Sequence, residues 1–190
     1  MQVAKVVEAA RWQLGFQSLE TEFREPVGLA VEGNAPDELL GTLYRIGPAR
    51  HDVYGTRNGS WFDGDGMVHA LRFDHGRIRY RNRFVQTKKK IDEDAARRRV
   101  YGGLGTPSPI GGLARLRQLG NTSGNPANTN IVSHGGTLLA LCEGGMPYRL
   151  DPLSLETIGT DDLGVIPDGE TFIAHAKQDP LTGELWNIGF

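Results

Sequence analysis

A single cysteine, Cys142, stands in 190 residues. No intrachain disulfide can brace the fold, and a reducing, cytoplasmic compartment is the expectation. No run approaches the roughly 18 consecutive apolar residues that a membrane-spanning helix needs. Glu8, Arg11 and Glu20 break up the start of the chain, so a secretory leader is not expected. Charge of one sign is also missing. The 21 Lys and Arg against 23 Asp and Glu leave a net charge of −2, which gives no global electrostatic ground for nucleic-acid binding.

Familiar short motifs are missing too. There is no Gly-x-x-x-x-Gly-Lys-Ser/Thr loop, and Gly64-Asp65-Gly66 lacks the third glycine of a dinucleotide fingerprint. Asp63-Gly64-Asp65-Gly66 lacks the later ligands of a calcium loop. No Gly-x-Ser-x-Gly elbow and no His-Glu-x-x-His zinc helix occur, and no tryptophan precedes an aspartate.

What is abundant is glycine, with 26 residues, or about one in seven, roughly double the usual share. With 23% charged and 38% hydrophobic residues, the composition excludes disorder and a glycine-intolerant helical bundle. It fits a chain of short, frequently punctuated elements.

Val3, Val6, Val7, Ala10 and Leu14 recur at helical spacing and predict a helix in an N-terminal segment, 1–25. It would pack on the body of the protein or, in a second reading supported by Lys5 and Arg11, make peripheral contact with a membrane. From Val27 onward the period changes to two, and a second region, 26–190, reads as short strands. Leu43 to Gly47 predicts a strand ending at Gly47-Pro48. Met67 to Phe73 and Ile78 to Val85 flank a turn at Asp74-His75-Gly76. Arg77, Arg79, Arg81 and Arg83 alternate with Ile78, Tyr80, Asn82 and Phe84, so the arginines share one sheet face. The plainer reading is a solvated face with acidic neighbours rather than an anion site.

Lys88-Lys89-Lys90, Asp92-Glu93-Asp94 and Arg97-Arg98-Arg99 open a long excursion, 88–128, read as a surface loop whose charge blocks neutralise one another. Strands are predicted again at Asn130 to Ser133, Thr137 to Cys142, Tyr148 to Leu150, Phe172 to Ala176 and Glu184 to Phe190. Asp151-Pro152 and Asp179-Pro180 recur 28 residues apart, which hints at a repeated sheet unit. A sandwich, a barrel and a propeller all remain open on this pattern. Because the sequence ends inside an apolar strand pattern, it is expected to be the first part of a longer protein.

None of the five histidines, His51, His69, His75, His134 and His175, has an acid two residues later. By spacing alone each reads as structural or exposed. Two positions stand out once the strands are drawn. His175 is expected mid-strand among small and apolar residues, where a buried imidazole needs a partner on each nitrogen. Glu143 ends the apolar run Leu138 to Cys142, either in water or, if buried, with a partner.

Six blocks carry a resemblance. They are Gly41-Thr42-Leu43-Tyr44-Arg45-Ile46-Gly47-Pro48; Trp61-Phe62-Asp63-Gly64-Asp65-Gly66-Met67-Val68-His69; Tyr80-Arg81-Asn82-Arg83-Phe84-Val85; Asn128-Thr129-Asn130-Ile131-Val132; Ala140-Leu141-Cys142-Glu143-Gly144-Gly145 with Pro147-Tyr148; and Ala174-His175-Ala176-Lys177 with Asp179-Pro180-Leu181-Thr182-Gly183-Glu184. In this order they resemble the carotenoid cleavage oxygenase family, which includes lignostilbene dioxygenases and the retinal pigment epithelium isomerase.

The resemblance implies an all-β fold, the N-terminal blades of a seven-bladed β-propeller, and a non-haem Fe(II) held by four histidines. His175 matches the first of these metal ligands. Glu143 matches a second-shell glutamate that accepts a hydrogen bond from a ligating histidine. His69 is read as structural, and the other three ligands are expected beyond residue 190. Ala176 stands where the family usually has proline. The implied reaction is dioxygenase cleavage of a conjugated double bond in a carotenoid, apocarotenoid or stilbene, with O2 as co-substrate and carbonyl products; an isomerase is the alternative on the same scaffold. The 190 residues alone are expected neither to bind iron stoichiometrically nor to cleave. A reading of another class is a non-catalytic partial propeller that binds apolar ligands or protein partners.

Overall fold

In the computed structural model, residues 15–109, 124–168 and 170–189 are described. The helix expected from Val3 to Leu14 lies outside them, and the described part of that segment, 15–25, is turn and extended chain. Two four-stranded antiparallel sheets dominate. The first contains β1 (Val27–Gly28), β2 (Gly41–Arg50), β5 (Asp65–Asp74) and β6 (Arg77–Phe84) in the order β1-β6-β5-β2. The small pair β3 (Asp52–Val53) and β4 (Thr56–Arg57) and a 3₁₀ turn at Trp61–Asp63 lie between β2 and β5 in sequence. The second sheet runs β10-β9-β8-β7, built from β7 (Asn130–His134), β8 (Thr137–Leu141), β9 (Tyr148–Leu150) and β10 (Thr157–Thr160). A last pair joins β11 (Lys177–Gln178) to β12 (Leu185–Trp186).

Hairpin chemistry sets the registers. His75-Gly76 and Gly135-Gly136 take positive φ at both turn positions, the geometry that matches strand twist. Asp74 therefore pairs with Arg77, and His134 with Thr137. β2 runs past the expected stop at Gly47-Pro48 to Arg50. It is an edge strand, and its register shifts between Pro48 and Arg50, so the missing proline N–H leaves no inner ladder bond unmade.

The two sheets share a core of Val68, Ala70, Val85, Ala127, Leu138, Ala140, Tyr148, Leu150 and Leu155. The opposite face of β8 points Leu139 and Leu141 at Phe172 and Ala174. Both faces of β8 are covered, which is why it reads as a continuous apolar run. Polar bonds also tie the sheets. Tyr44 Oη donates to Pro152 O at 2.8 Å, and Lys88 N donates to Tyr148 Oη at 2.9 Å. The arginine face divides. Arg77 and Arg79 are exposed, whereas Arg81 donates to Leu153 O and Arg83 to Ser154 O, so the inner pair reaches across to the second sheet.

The stretch expected to be a surface loop contains a helix, α1 (Lys88–Ala96). Thr87 caps it by accepting from Lys90 N at 3.1 Å, and Arg97 ends it in the left-handed conformation. Lys88–Asp92, Lys89–Glu93 and Lys90–Asp94 pair one turn apart at 2.7, 2.9 and 2.5 Å. The lysine and acidic blocks do neutralise one another, but as neighbours on a helix with one side buried, while Arg97, Arg98 and Arg99 lie past its last residue. Lys89 Nζ also meets Asp65 at 2.8 Å, while Arg50 bridges Asp65 and Asp94 at 2.5 Å each. Burial alone would lower the Arg50 guanidinium, but the facing carboxylates outweigh it and hold its pKa above the ordinary value.

The repeated Asp-Pro segments are the same turn made twice. Asp151 Oδ1 accepts from Leu153 N and Ser154 N, and Asp179 Oδ1 accepts from Leu181 N and Thr182 N. In each, the Asp amide bonds the carbonyl five residues on, and the fourth residue's amide returns to the Asp carbonyl. β9–β10 and β11–β12 are thus equivalent hairpins. The second is shorter than expected, since among the described residues 184–189 only Leu185–Trp186 is strand.

Candidate functional site

A pocket of about 410 Å³ opens where the 3₁₀ turn, the loop at 102–104, the segment 124–129 and the end of β8 converge. Phe62, Leu104, Pro126, Cys142, Glu143 and His175 are among its lining residues. The segment 126–128 is brought in by close backbone approach. Gly66 N donates to Pro126 O at 2.9 Å, and a Cβ on Gly66 would lie 2.0 Å from Ala127 O. Only glycine permits that contact. Asn128, buried, then donates through one amide to Phe62 O at 2.8 Å and Gly64 O at 2.6 Å, which fixes the 3₁₀ turn beside the pocket.

The expectation for His175 is corrected in its setting. Phe172 makes a single bridge to Gly145, and Ala174 and His175 form a turn, so His175 is not mid-strand. Its side chain is 64% exposed and that of Glu143 is 48% exposed, so neither is a buried group in search of a partner. The chain nevertheless brings the two together. His175 Nε2 lies 2.9 Å from Glu143 Oε1, and Ala174 N donates to Glu143 Oε2 at 3.3 Å. One carboxylate therefore grips both the imidazole and the turn that bears it. Asn130 holds the turn from another side, donating to Ala174 O at 2.8 Å. Asn187 brackets Ile173, accepting from its N–H at 3.0 Å and donating to its carbonyl at 2.8 Å. Burial pushes the neighbouring Cys142 thiol up from its ordinary value, which keeps it protonated and poorly nucleophilic.

His69 lies outside the pocket. Its Nδ1 is 2.6 Å from Tyr80 Oη, and burial, aided by Arg45, lowers its pKa. Asp63, Asn128 and Asn130 sit in sequence blocks that signal the resemblance, but sequence reasoning assigned them no role. Their signal is chemical: short polar side chains flanked by loop residues, suited to holding backbone groups of neighbouring loops.

An imidazole at the rim of an apolar pocket, held by a carboxylate, suits one ligand position of an iron(II) ion, with the carboxylate orienting the ring. Among the described residues, no cluster of three or more His, Cys, Asp or Glu side chains is placed to hold a metal.

Known proteins resemble this chain over most of its length. The family profile described as retinal pigment epithelial membrane protein matches residues 16–190. The chain belongs to this family, the carotenoid cleavage oxygenases. It is 42% identical over 174 residues to apocarotenoid-15,15'-oxygenase of Synechocystis sp., covering 90% of this chain and 35% of that protein. It is 36% identical over 166 residues to lignostilbene-alpha,beta-dioxygenase isozyme III of Sphingomonas paucimobilis, covering 85% of this chain and 32% of that protein. The structure of cobalt-substituted Synechocystis apocarotenoid oxygenase superposes with a TM-score of 0.80 at 37% identity, over 94% of this chain and 37% of that one. The chain thus spans about a third of the length of these relatives. Its sheets are blades from the N-terminal part of their propeller.

Proposed function

We propose that this chain is the N-terminal part of a non-haem iron(II) dioxygenase that cleaves a conjugated double bond of a carotenoid, apocarotenoid or stilbene. One molecule of O2 adds across the bond. The carbon–carbon bond breaks, and each carbon leaves as a carbonyl carrying one oxygen atom. The observation that carries the proposal is the Glu143–His175 pair, 2.9 Å apart at the edge of an apolar pocket. Iron(II), when bound, supplies open coordination positions at which dioxygen is activated. His175 would be one of its ligands. Glu143 would fix the tautomer and direction of that imidazole. Phe62, Leu104 and Pro126 would receive the apolar substrate and keep water from it.

The proposal extends to a reducing, cytoplasmic setting, supported by the single, largely buried Cys142. It extends also to peripheral contact with membranes, where apolar polyenes reside. No described helix is long and apolar enough to cross one.

The test is a polypeptide in which this chain replaces the matching third of Synechocystis apocarotenoid oxygenase. Given iron(II), O2 and a panel of carotenoids, apocarotenoids and stilbenes, it is expected to yield aldehydes by mass spectrometry, and His175→Ala is expected to abolish them. A folded hybrid that yields none overturns the proposal. A second reading, non-catalytic binding of apolar ligands, is favoured by one observation: this chain forms the pocket while contributing only one imidazole to it. Stilbene binding by a hybrid that holds iron but releases no product would select that reading.

A further inference from the structure

Asp63 is buried at the pocket and lies across the chain from the loop it contacts. Its Oδ1 accepts from Leu104 N at 2.6 Å; its Oδ2 accepts from Gly105 N at 3.1 Å and from Thr106 Oγ1 at 2.5 Å. Thr106, also buried, accepts in turn from Gly59 N at 2.8 Å. Two segments some forty residues apart, 59–63 and 103–106, are therefore locked by one carboxylate and one hydroxyl. The fit leaves no slack. A Cβ on Gly103 would fall 2.2 Å from Asp63 Oδ1, and one on Gly105 would fall 2.5 Å from Ser60 Cβ.

The lock carries two large apolar side chains. Phe62 precedes Asp63 and Leu104 lies within the captured loop; they are 66% and 83% exposed, yet both line the pocket. Side chains so exposed are not held by packing, so the backbone beneath them must set where they stand. The carbonyl of Phe62 is fixed separately by Asn128. The loop bearing Leu104 has the Asp63 carboxylate as its anchor.

We propose that Asp63 is a positioning residue: by holding the 103–106 loop it sets Leu104, together with Phe62, as the apolar wall that receives a conjugated substrate. This deepens the function proposed above and rests on that reading of the pocket. Asp63 does not touch the reacting atoms. It acts through Leu104, so its loss changes how an apolar ligand is held without removing any apolar surface.

The experiment combines amide hydrogen exchange with fluorescence titration of trans-stilbene on the 190-residue chain. In Asp63→Asn, the amide cannot accept the full set of bonds. Exchange at Leu104 and Gly105 is expected to accelerate roughly tenfold or more, with β7–β8 unchanged, and stilbene affinity is expected to fall by roughly tenfold. Thr106→Val, which keeps the volume and removes the bridging hydroxyl, is expected to move both readouts the same way by less. It also serves as the test if Asp63→Asn does not fold. Leu104→Ala is expected to weaken stilbene binding with loop exchange unchanged, separating the wall from its anchor. Unchanged exchange at Leu104 and Gly105, or faster exchange with unaltered stilbene affinity, overturns the proposal. If the unmodified chain binds no stilbene, the apolar-substrate reading fails and the wall with it. The exchange arm still decides whether Asp63 anchors the loop.

Discussion

Two clusters in this chain join carboxylates to basic side chains, and they are built on opposite plans. Beneath α1, Asp65 and Glu93 are fully enclosed and Lys89, which bridges them, is nearly so; each carboxylate meets at least two partners among Arg50, Lys89 and the amides of Val100 and Tyr101. At the pocket, Glu143 and His175 are half exposed and hold one another. A network whose carboxylates are bound by buried cations and backbone amides fixes where the helix sits. A pair open to solvent adds little stability and leaves coordination to spare. The number of partners and the burial separate structure from chemistry better than charge or residue type does.

The largest expected effect tests the enclosed cluster. Lys89→Met would strand Asp65 and Glu93 as buried, under-compensated carboxylates, and is expected to cost about 3–5 kcal/mol in urea unfolding. A loss below about 1 kcal/mol would show that the network is no more than a surface pair. At the pocket the contrast is sharpest in the hybrid polypeptide. Glu143→Gln is expected to lower iron affinity by about 10–100-fold, read by metal titration, while shifting unfolding free energy by less than about 1 kcal/mol. Equal effects on both measurements would erase the distinction drawn here. Between the two lies Tyr44→Phe, which removes the bond to Pro152 and is expected to cost about 1 kcal/mol.

The smallest effect is pH-dependent. Burial, then Arg57, lowers the pKa of His51 in the folded chain below its ordinary value near 6.5. Between the folded and unfolded values the unfolded chain binds more protons, so stability rises with pH through that window and is lost as pH falls below about 6.5. Asp94 acts lower. Burial raises its pKa, but bonds from Lys90 and Arg50 outweigh it and leave the net value depressed. Its contribution is present above the unfolded value near 3.8 and is lost as pH falls through the folded one. Urea midpoints measured across pH for the parent chain, His51→Gln and Asp94→Asn should separate the two windows. A His51→Gln curve parallel to the parent between pH 7 and 5 would remove His51 from the account.

Much of the sheet architecture was legible in the sequence because strand alternation and turn residues act locally. Asp74-His75-Gly76 and the two Asp-Pro segments mark hairpins that the structure contains. The helix α1 was missed because its charge blocks were read by composition. Their one-turn spacing, Lys88 with Asp92 through Lys90 with Asp94, was the available signal. Glu143 and His175 were found through resemblance, and the strand expected around His175 is a turn because Glu143, Asn130 and Asn187 satisfy its backbone instead of a ladder. The Asp63 lock was illegible, since it depends on two segments distant in sequence meeting in space.

The twin Asp-Pro turns bear on how the chain reaches its fold. Every bond that closes them spans five residues or fewer, whereas the Tyr44–Pro152 link spans 108. Short loops close in well under a microsecond and hairpins within microseconds, while distant partners must first find one another. The hairpins are thus early, self-closing units, and docking of one sheet on the other is the late event. Substitutions at Asp151 or Asp179 should slow the formation of a hairpin, and those at Tyr44 should chiefly hasten the separation of the two sheets.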